Sequence, residues 1–559
     1  MSNLSNKEIY KGIYSMHKYW GRKPFNVVSE FIKKYTLEGD IVLDSFCGSG
    51  VTIIEASKLK RKAIGIDLNP MAIKLTKASL VNVDIQKLKE EFNNIKNELQ
   101  PIINSLYTMT CPICDAKAIQ THIVWKDDEP TEVWYQCDNC KKKKIIKQAT
   151  DMDKEMSENP MLKPLWYPDT LMFENSRINV RADQKVSDLF TNRALVALSY
   201  IYDRVKKIED SNIRESLELT FTGAISQASK LVFVIRSRNK KTSKNDKQVT
   251  LDLETEEDNK SEKDAEVVGR AEVGSWVIGY WVPQEHFEIN AWNCFENRFK
   301  RILKGQEEIN EIFKSGNKIY DNFLEFKEDK DFGVLLKNGT ATKLDLPDNY
   351  INYVFIDPPH GNRILYMEQS LMWNSWLGLD NKCNWEEEII VSEAKKRNKN
   401  VPVYTKMMND ALTEIKRVLK PNGYFSMAFN TLDDETCISM INMCLGTGFE
   451  IVDIHPLEYS AMSVVQDNRQ NALKTDFVLT CKKNIDAKSK EIVYNKDDNE
   501  ITKAIEEILI NQELETYDII NKLLILNLNK GVIYPPTKIT NILEKRFTCE
   551  NSKWKIKKN

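Results

Sequence analysis

Long apolar runs are missing from this sequence. Each hydrophobic stretch is broken by charge before the ~18–20 residues a membrane span requires, and no apolar signal core occupies the first residues. No membrane partner is expected, and a soluble cytoplasmic protein is. Charge of one sign is lacking too. Lys+Arg number 80 and Asp+Glu 82, a formal net charge of -2, so a polyanionic partner must meet local positive patches rather than a chain basic throughout. Nor do the 11 cysteines make an even disulfide set. Four lie in two CxxC pairs and the rest are scattered, which fits a reducing compartment and one metal site better than a disulfide frame. What is present is length. The 559 residues allow about two to four domains with buried cores.

The chain opens as an α/β unit. Residues 26–35 have helical apolar spacing, residues 41–44 form a short apolar strand, and a helix resumes over 51–59 directly after Gly48 and Gly50. The next strand, KAIGID at 62–67, ends in an acid. This is the doubly wound pattern, in which ligands sit at the carboxyl ends of parallel strands. Glycines let the backbone approach a ligand closely, and Asp67 stands where an acid can take both hydroxyls of a ribose. The run Cys47-Gly48-Ser49-Gly50-Val51-Thr52 matches neither the GxxxxGK[ST] phosphate loop nor the dinucleotide GxGxxG. S-adenosylmethionine, which has no phosphates, suits this shorter loop.

A second strand, residues 350–356, is β-branched and aromatic and ends in Asp357-Pro358-Pro359-His360. A carboxylate and the neighbouring Pro358 carbonyl can accept both hydrogens of an exocyclic amino group and aim its lone pair at a methyl sulfonium. Two prolines restrict the backbone, so these acceptors are preorganised. The fourth residue would stack on a base swung out of its duplex. Between the two motifs, Cys111-Pro112-Ile113-Cys114 and Cys137-Asp138-Asn139-Cys140 are two CxxC knuckles, spaced slightly wider than the standard pair, that read as a four-cysteine zinc ribbon, a closed structural site. His122, between them, reads as a strand residue. Lys141 to Lys144 read either as a phosphate contact or as a solvated basic edge.

These segments carry a resemblance. DSFCGSG (44–50), GIDLNP (65–70) and DPPH (357–360) resemble the cofactor loop, ribose-acid strand and catalytic tetrad of DNA amino-methyltransferases that use S-adenosylmethionine. MHKYWGRKPFNVV (16–28), the CxxC pairs and DPPHGNRILYMEQSLMWNSWLG (357–378) resemble, more narrowly, the zinc-ribbon-containing adenine-specific DNA methylases. The resemblance covers the chain to about residue 85 and again from about 340 to 485.

It implies an α/β, Rossmann-like methyltransferase fold with a cofactor half (1–85), an insertion (86–340) carrying the ribbon (109–147), and a catalytic half (341–485). A small helical C-terminal module (486–559) follows. It also implies transfer of a methyl group to the N6 amino group of adenine in double-stranded DNA with the target base flipped. Implied partners are those of a restriction or phage-defence system. The nearest rivals are an RNA or N4-cytosine amino-methyltransferase and a nucleic-acid-binding subunit with a decayed tetrad.

By the same resemblance, His17, Tyr19, Arg22, Lys23 and Pro24 close over the methionine end of the cofactor. Asp44, Phe46, Cys47, Gly48, Gly50, Asp67 and Asn69 complete its site. Asp357, Pro358, Pro359 and His360 are catalytic, and structural zinc sits on Cys111, Cys114, Cys137 and Cys140. Two residues depart from the family pattern. His360 replaces the usual larger aromatic and can titrate near neutral pH. Lys343 stands roughly where relatives often carry an acid near the cofactor adenine.

Elsewhere the expectations are structural. Helices are expected over 85–108, 185–232 and 408–419, a turn at 420–423, a strand at 424–429, and a final hairpin from 455–459 and 476–479. The basic run from residue 236 and the acidic run through Glu266 read as a mobile loop. Trp276, Tyr280, Trp281, Trp292 and Phe295 read as packing between insertion and core. Glu393-Ala394-Lys395 resembles a nuclease fragment only superficially. Three C-terminal helices read as a winged-helix-like module or as a packing and dimer module.

Overall fold

The computed structural model describes residues 11–236, 271–276, 279–430, 434–457, 476–484, 493–495, 497–528, 531–550 and 553–557. The expected mobile loop after residue 236 and the far end of the 455–459 hairpin strand lie outside them. At the centre is an eight-stranded sheet. Its order is Lys318–Tyr320, Gly333–Asn338, Lys62–Asp67, Ile41–Asp44, Ile351–Ile356, Leu419–Asn430, Asp476–Lys482, Glu450–Leu457. Every pairing up to Leu419–Asn430 is parallel, and Asp476–Lys482 runs antiparallel to both its neighbours.

Parallel strands need crossover helices, which cover both faces, so the central strands bury apolar side chains on both faces. Alternation sorts their side chains. Tyr353 and Phe355 pack with Phe31, Ile53 and Met71 on one face, whereas Val354 and Ile356 pack with Leu43, Met408 and Ile441 on the other. The order reverses beside Ile41–Asp44, because the chain adds strands outward to one side through Lys62–Asp67 and to the other through Ile351–Ile356. This switch point opens a crevice at the strands' carboxyl ends. The architecture is therefore the α/β, methyltransferase-like core expected. Two of its strands, Lys318–Tyr320 and Gly333–Asn338, precede residue 341 in the chain. The expected 408–419 helix begins earlier, as Val401–Val418, because Asn400 caps it and Pro402 fits its first turn.

The insertion leaves after helix Pro70–Ala78 and returns at Lys318–Tyr320. It combines helices Ile85–Ser105, Asn192–Lys206, Ser211–Ile225 and Ala291–Ile312 with an antiparallel sheet that includes Lys117–Lys126, Glu129–Cys137, Lys142–Gln148 and Glu285–Ile289. Its aliphatic and aromatic side chains join the same hydrophobic cluster as one face of the core sheet. Phe92 stacks flat on Phe299 at 3.7 Å between centroids, tying the first insertion helix to the last. Buried Arg193 joins helices to sheet, donating to Glu288 at 2.8 Å and Gln120 at 2.7 Å.

The C-terminal region is mostly helical. Helices Asp498–Leu509, Thr516–Leu528 and Pro536–Arg546 precede strands Phe547–Glu550 and Lys553–Ile556, and the latter pairs with Leu514–Glu515. Ile519, Leu523 and Leu543 share a cluster with core residues Phe449 and Ile454, so the module packs onto the central sheet. Among the described residues no helix is long and apolar enough to cross a membrane.

Candidate active site and metal centre

The crevice holds one cavity lined from both motifs and from the segment before the first core helix. Tyr19, Arg22, Lys23, Asp44, Phe46, Cys47, Gly48, Asp67, Asn69, Asp357 and Pro359 all face it. Of the remaining candidates, Gly50 and Pro24 act one step back. Gly50, at φ 83, starts helix Val51–Lys58, and a Cβ there would meet Thr76 at 2.6 Å. Pro24 stands immediately before helix Phe25–Tyr35. His17 is buried outside the cavity lining, edge-on to Trp373 at 4.8 Å, and burial pushes its imidazole down to about 3. Lys343 is exposed, and Thr340 and Ala341 line the cavity near it.

The glycine loop is drawn onto Asp67. Gly48 N–H donates to its Oδ2 at 2.7 Å and Asn69 N–H to its Oδ1 at 2.8 Å. Burial pushes Asp67 up to about 6, although these two amides pull it back. Asp44, next along the sheet, is pushed by burial up to about 7, with the Thr52 and Phe46 hydrogen bonds opposing. Gly48 has φ 51, and a Cβ would come 3.1 Å from the Tyr19 ring, so the loop can lie under Tyr19 only as glycine. Arg22 staples the segment above to this loop, donating to Ser49 Oγ at 2.7 Å and to the carbonyl of His17 at 2.9 Å.

Asp357 differs from both acids. Burial pushes it up, but Lys23 Nζ at 3.0 Å and His360 Nε2 at 3.5 Å outweigh that, and the carboxyl is held below its ordinary value. The tetrad's acid is therefore ionised at neutral pH. His360 turns its ring toward Asp357 and does not line the cofactor cavity. Pro358 is buried, and Tyr404 Oη donates to the Pro359 carbonyl at 2.8 Å, which fixes the turn from a helix that arrives 45 residues later.

Sequence reasoning missed that clamp and the wall opposite. Tyr366, Glu387 and Glu388 line the cavity, and Tyr366 stacks on Tyr19 at 5.8 Å. Tyr366 lies in the segment 357–378 quoted above, where its position nine residues after Asp357 was the available clue. Glu388 had none, since its placement depends on Arg397. That buried guanidinium holds Glu368 at 2.9 Å and Glu388 at 2.6 Å. Asn69 completes the wall, donating to Ser370 Oγ at 2.8 Å and accepting from Asn374 at 3.1 Å, so the end of the second strand docks helix Tyr366–Trp376.

The four ribbon cysteines converge. Cys111 and Cys140 sulfurs lie 3.8 Å apart and Cys114 and Cys137 3.6 Å apart, and all four lie within 4.8 Å of one another. Thiolates 2.3 Å from a tetrahedral zinc stand about 3.8 Å apart, so the donor set and its spacing fit a structural zinc. His122 packs against Trp134 and Phe287 instead, as a strand residue. Lys144 Nζ sits 3.2 Å over the Trp134 ring. Tyr280, Trp292 and Phe295 are buried packing residues, whereas Trp281 is half exposed.

Fold and cavity define a methyltransferase-like protein with a cofactor crevice of the S-adenosylmethionine-binding kind. Residues 2–78 match a family model described as DNA methylase. Over 103 residues the chain is 33% identical to the type II methyltransferase M.MjaII of Methanocaldococcus jannaschii, covering 18% of this chain and 19% of that one. Over 104 residues it is 31% identical to the type II methyltransferase M.HpaI of Haemophilus parainfluenzae, covering 19% and 31%. The chain thus spans 19% and 31% of the length of these curated relatives. A solved SAM-dependent methyltransferase from Methanosarcina mazei matches with a TM-score of 0.17 at 11% identity, covering 30% of this chain and 81% of that one, too slight a likeness to carry an argument. The chain is a relative of S-adenosylmethionine-dependent methyltransferases that modify nucleic acids.

Proposed function

We propose that this protein transfers a methyl group from S-adenosylmethionine to the N6 amino group of adenine in DNA. The observation that carries the reading is a single cavity with two kinds of acid. The glycine loop and Asp67 stand on one side and an ionised Asp357 on the other, at the ends of strands that flank Ile41–Asp44. The cofactor, when bound, supplies an electrophilic methyl on a sulfonium.

The chain supplies the rest. Asp67 accepts ribose hydroxyls, Gly48 allows close backbone approach, and Lys23 and Arg22 cover the cofactor's methionine end. Asp357 and the Pro358 carbonyl accept the two amino hydrogens and orient the nitrogen lone pair. Positioning of this kind is worth orders of magnitude, because reacting groups are held in line before the step begins. Tyr404 keeps the proline turn from relaxing. Asp357 remains ionised while doing so because Lys23 offsets its burial. His360 takes the stacking position beside the base. The ribbon zinc is structural, and the substrate is a duplex with its target base flipped.

The family model that matches residues 2–78, described as DNA methylase, supports DNA as the polymer. Incubation with methyl-labelled S-adenosylmethionine and unmethylated genomic DNA, followed by nucleoside analysis, tests the reading. Labelled N6-methyladenine is expected. Label in N4-methylcytosine, or in RNA alone, would replace the substrate, and absence of label with cofactor bound would favour a binding subunit with a retired tetrad.

A further inference from the structure

The segment 15–23 lines two cavities. Tyr19, Trp20, Arg22 and Lys23 face the cofactor cavity, whereas Ser15, His17 and Lys18 face a second cleft of about 430 Å³. An aromatic wall separates them. Trp20 stacks on Trp373 at 4.9 Å, and Trp276, which lines the second cleft, meets both edge-on at 6.5 and 6.3 Å.

The second cleft is one-sided in charge. Among the described residues Lys18, Arg298 and Arg301 line it, and no Asp or Glu does. Among the described residues none of the three makes an ion pair. Lys18 Nζ instead lies 4.0 Å over the Trp276 ring. Arg298 is only 9% exposed, its Nε is buried without a hydrogen-bond partner, and its Nη1 reaches no nearer than 3.5 Å to the Met16 carbonyl. Burial, with Arg301 beside it, pushes Arg298 down to about 10. A guanidinium taken out of water without a counter-charge is costly, and nine-tenths burial with an unmade donor leaves a place for an anion. Arginine beside lysine is the pairing that binds phosphate.

We infer that this cleft holds a backbone phosphate of the DNA strand whose base enters the neighbouring cavity. The inference rests on the DNA reading above. Lys18 and Lys23 are five residues apart, at most about 17 Å of extended chain. A strand with its target base beside Asp357 therefore has another phosphate within reach of Lys18 and Arg301, a few nucleotides along at ~3.4 Å each. The wall of Trp20, Trp373 and Trp276 keeps this anion apart from the sulfonium cavity. A free nucleotide shares the chemistry, and the test separates the two sources.

Anisotropy of a short labelled duplex, titrated with the full-length protein over a salt series, reads the site without requiring methyl transfer. The variant Lys18→Ala/Arg301→Ala changes partly or fully exposed side chains and leaves buried Arg298 in place. It is expected to bind the duplex about tenfold more weakly, with a salt slope smaller by about one. Cofactor affinity by calorimetry stays unchanged, and deoxyadenosine monophosphate does not displace the duplex. Unchanged duplex affinity and slope in the variant, or no duplex binding by wild type, would overturn the inference. So would a mononucleotide bound by wild type but not by the variant while duplex affinity holds. Loss of duplex binding in the variant, with no methylation by wild type, would leave the cleft assigned and remove the methyltransferase reading instead.

Discussion

The cofactor edge and the catalytic edge of the crevice present acids from neighbouring parallel strands, yet their electrostatics run in opposite directions. Asp44 and Asp67 accept from amides and a hydroxyl and face the charges of other acids, and burial pushes them up to about 7 and about 6. Asp357 is also pushed up by burial, but Lys23 and His360 bring it below its ordinary value. Burial alone thus makes a carboxyl reluctant to ionise, and one lysine from the chain's first segment makes it an obligate acceptor. The difference fits the roles proposed above: adaptable acids where a neutral sugar would bind, and a fixed anion where amino hydrogens would be held.

The largest way to break this comparison is on the catalytic edge. Arg397→Ala strips the counter-charge from buried Glu368 and Glu388 and should cost about 3–5 kcal/mol in denaturant unfolding, with the wall of the cavity lost first. Arg397→Lys, which cannot span both glutamates, should recover only part. A loss within 1 kcal/mol (roughly the level of a surface pair) would mean that the network does not hold the wall.

The cofactor edge is tested by pH. An acid whose folded value is raised contributes stability that is full below the ordinary carboxylate range and lost as pH rises through the folded value. Stability without cofactor should therefore fall between about pH 4 and pH 7, by on the order of a few kcal/mol. Asp44→Asn should flatten that fall, and an unflattened profile would contradict the assignment.

Lys23→Met sharpens the contrast from the other side. It should turn Asp357 into an acid like its neighbours and move the acid limb of methyl transfer to higher pH. An unmoved limb would detach Lys23 from the chemistry. Tyr404→Phe removes one hydrogen bond to the Pro359 carbonyl and should cost about 1 kcal/mol, read as a several-fold fall in kcat with cofactor affinity preserved. The smallest effect at the crevice is expected from the ribbon. Cys114→Ser should abolish bound zinc by elemental analysis while cofactor affinity changes less than about twofold, since structural zinc energises only its own fold.

What was legible in the sequence was whatever the backbone itself demands. Gly48 and Gly50 need positive φ, Asn69-Pro70 caps and starts a helix, and two prolines follow an apolar strand; each requirement is local and survives in one dimension. The CxxC pairs are legible for the same reason. Tyr404, Glu388 and Arg397 were not, because nothing in their neighbourhoods marks them. They reach the crevice through packing of helix Val401–Val418 and the loop before it. His17 illustrates the converse. It lies in a segment that borders the cofactor, but its ring turns toward Trp373, and only the fold decides which way a side chain faces.

The central claim is that an ionised Asp357 presents the amino group to the methyl donor. Single-turnover methyl transfer to unmethylated DNA, with wild type, Asp357→Asn and Asp357→Ala each saturated with cofactor, tests it most directly. The account predicts N6-methyladenine at a rate lowered by about 10²–10³-fold or more in both variants, with cofactor affinity within a few fold of wild type. Full-rate methylation by Asp357→Ala would contradict it.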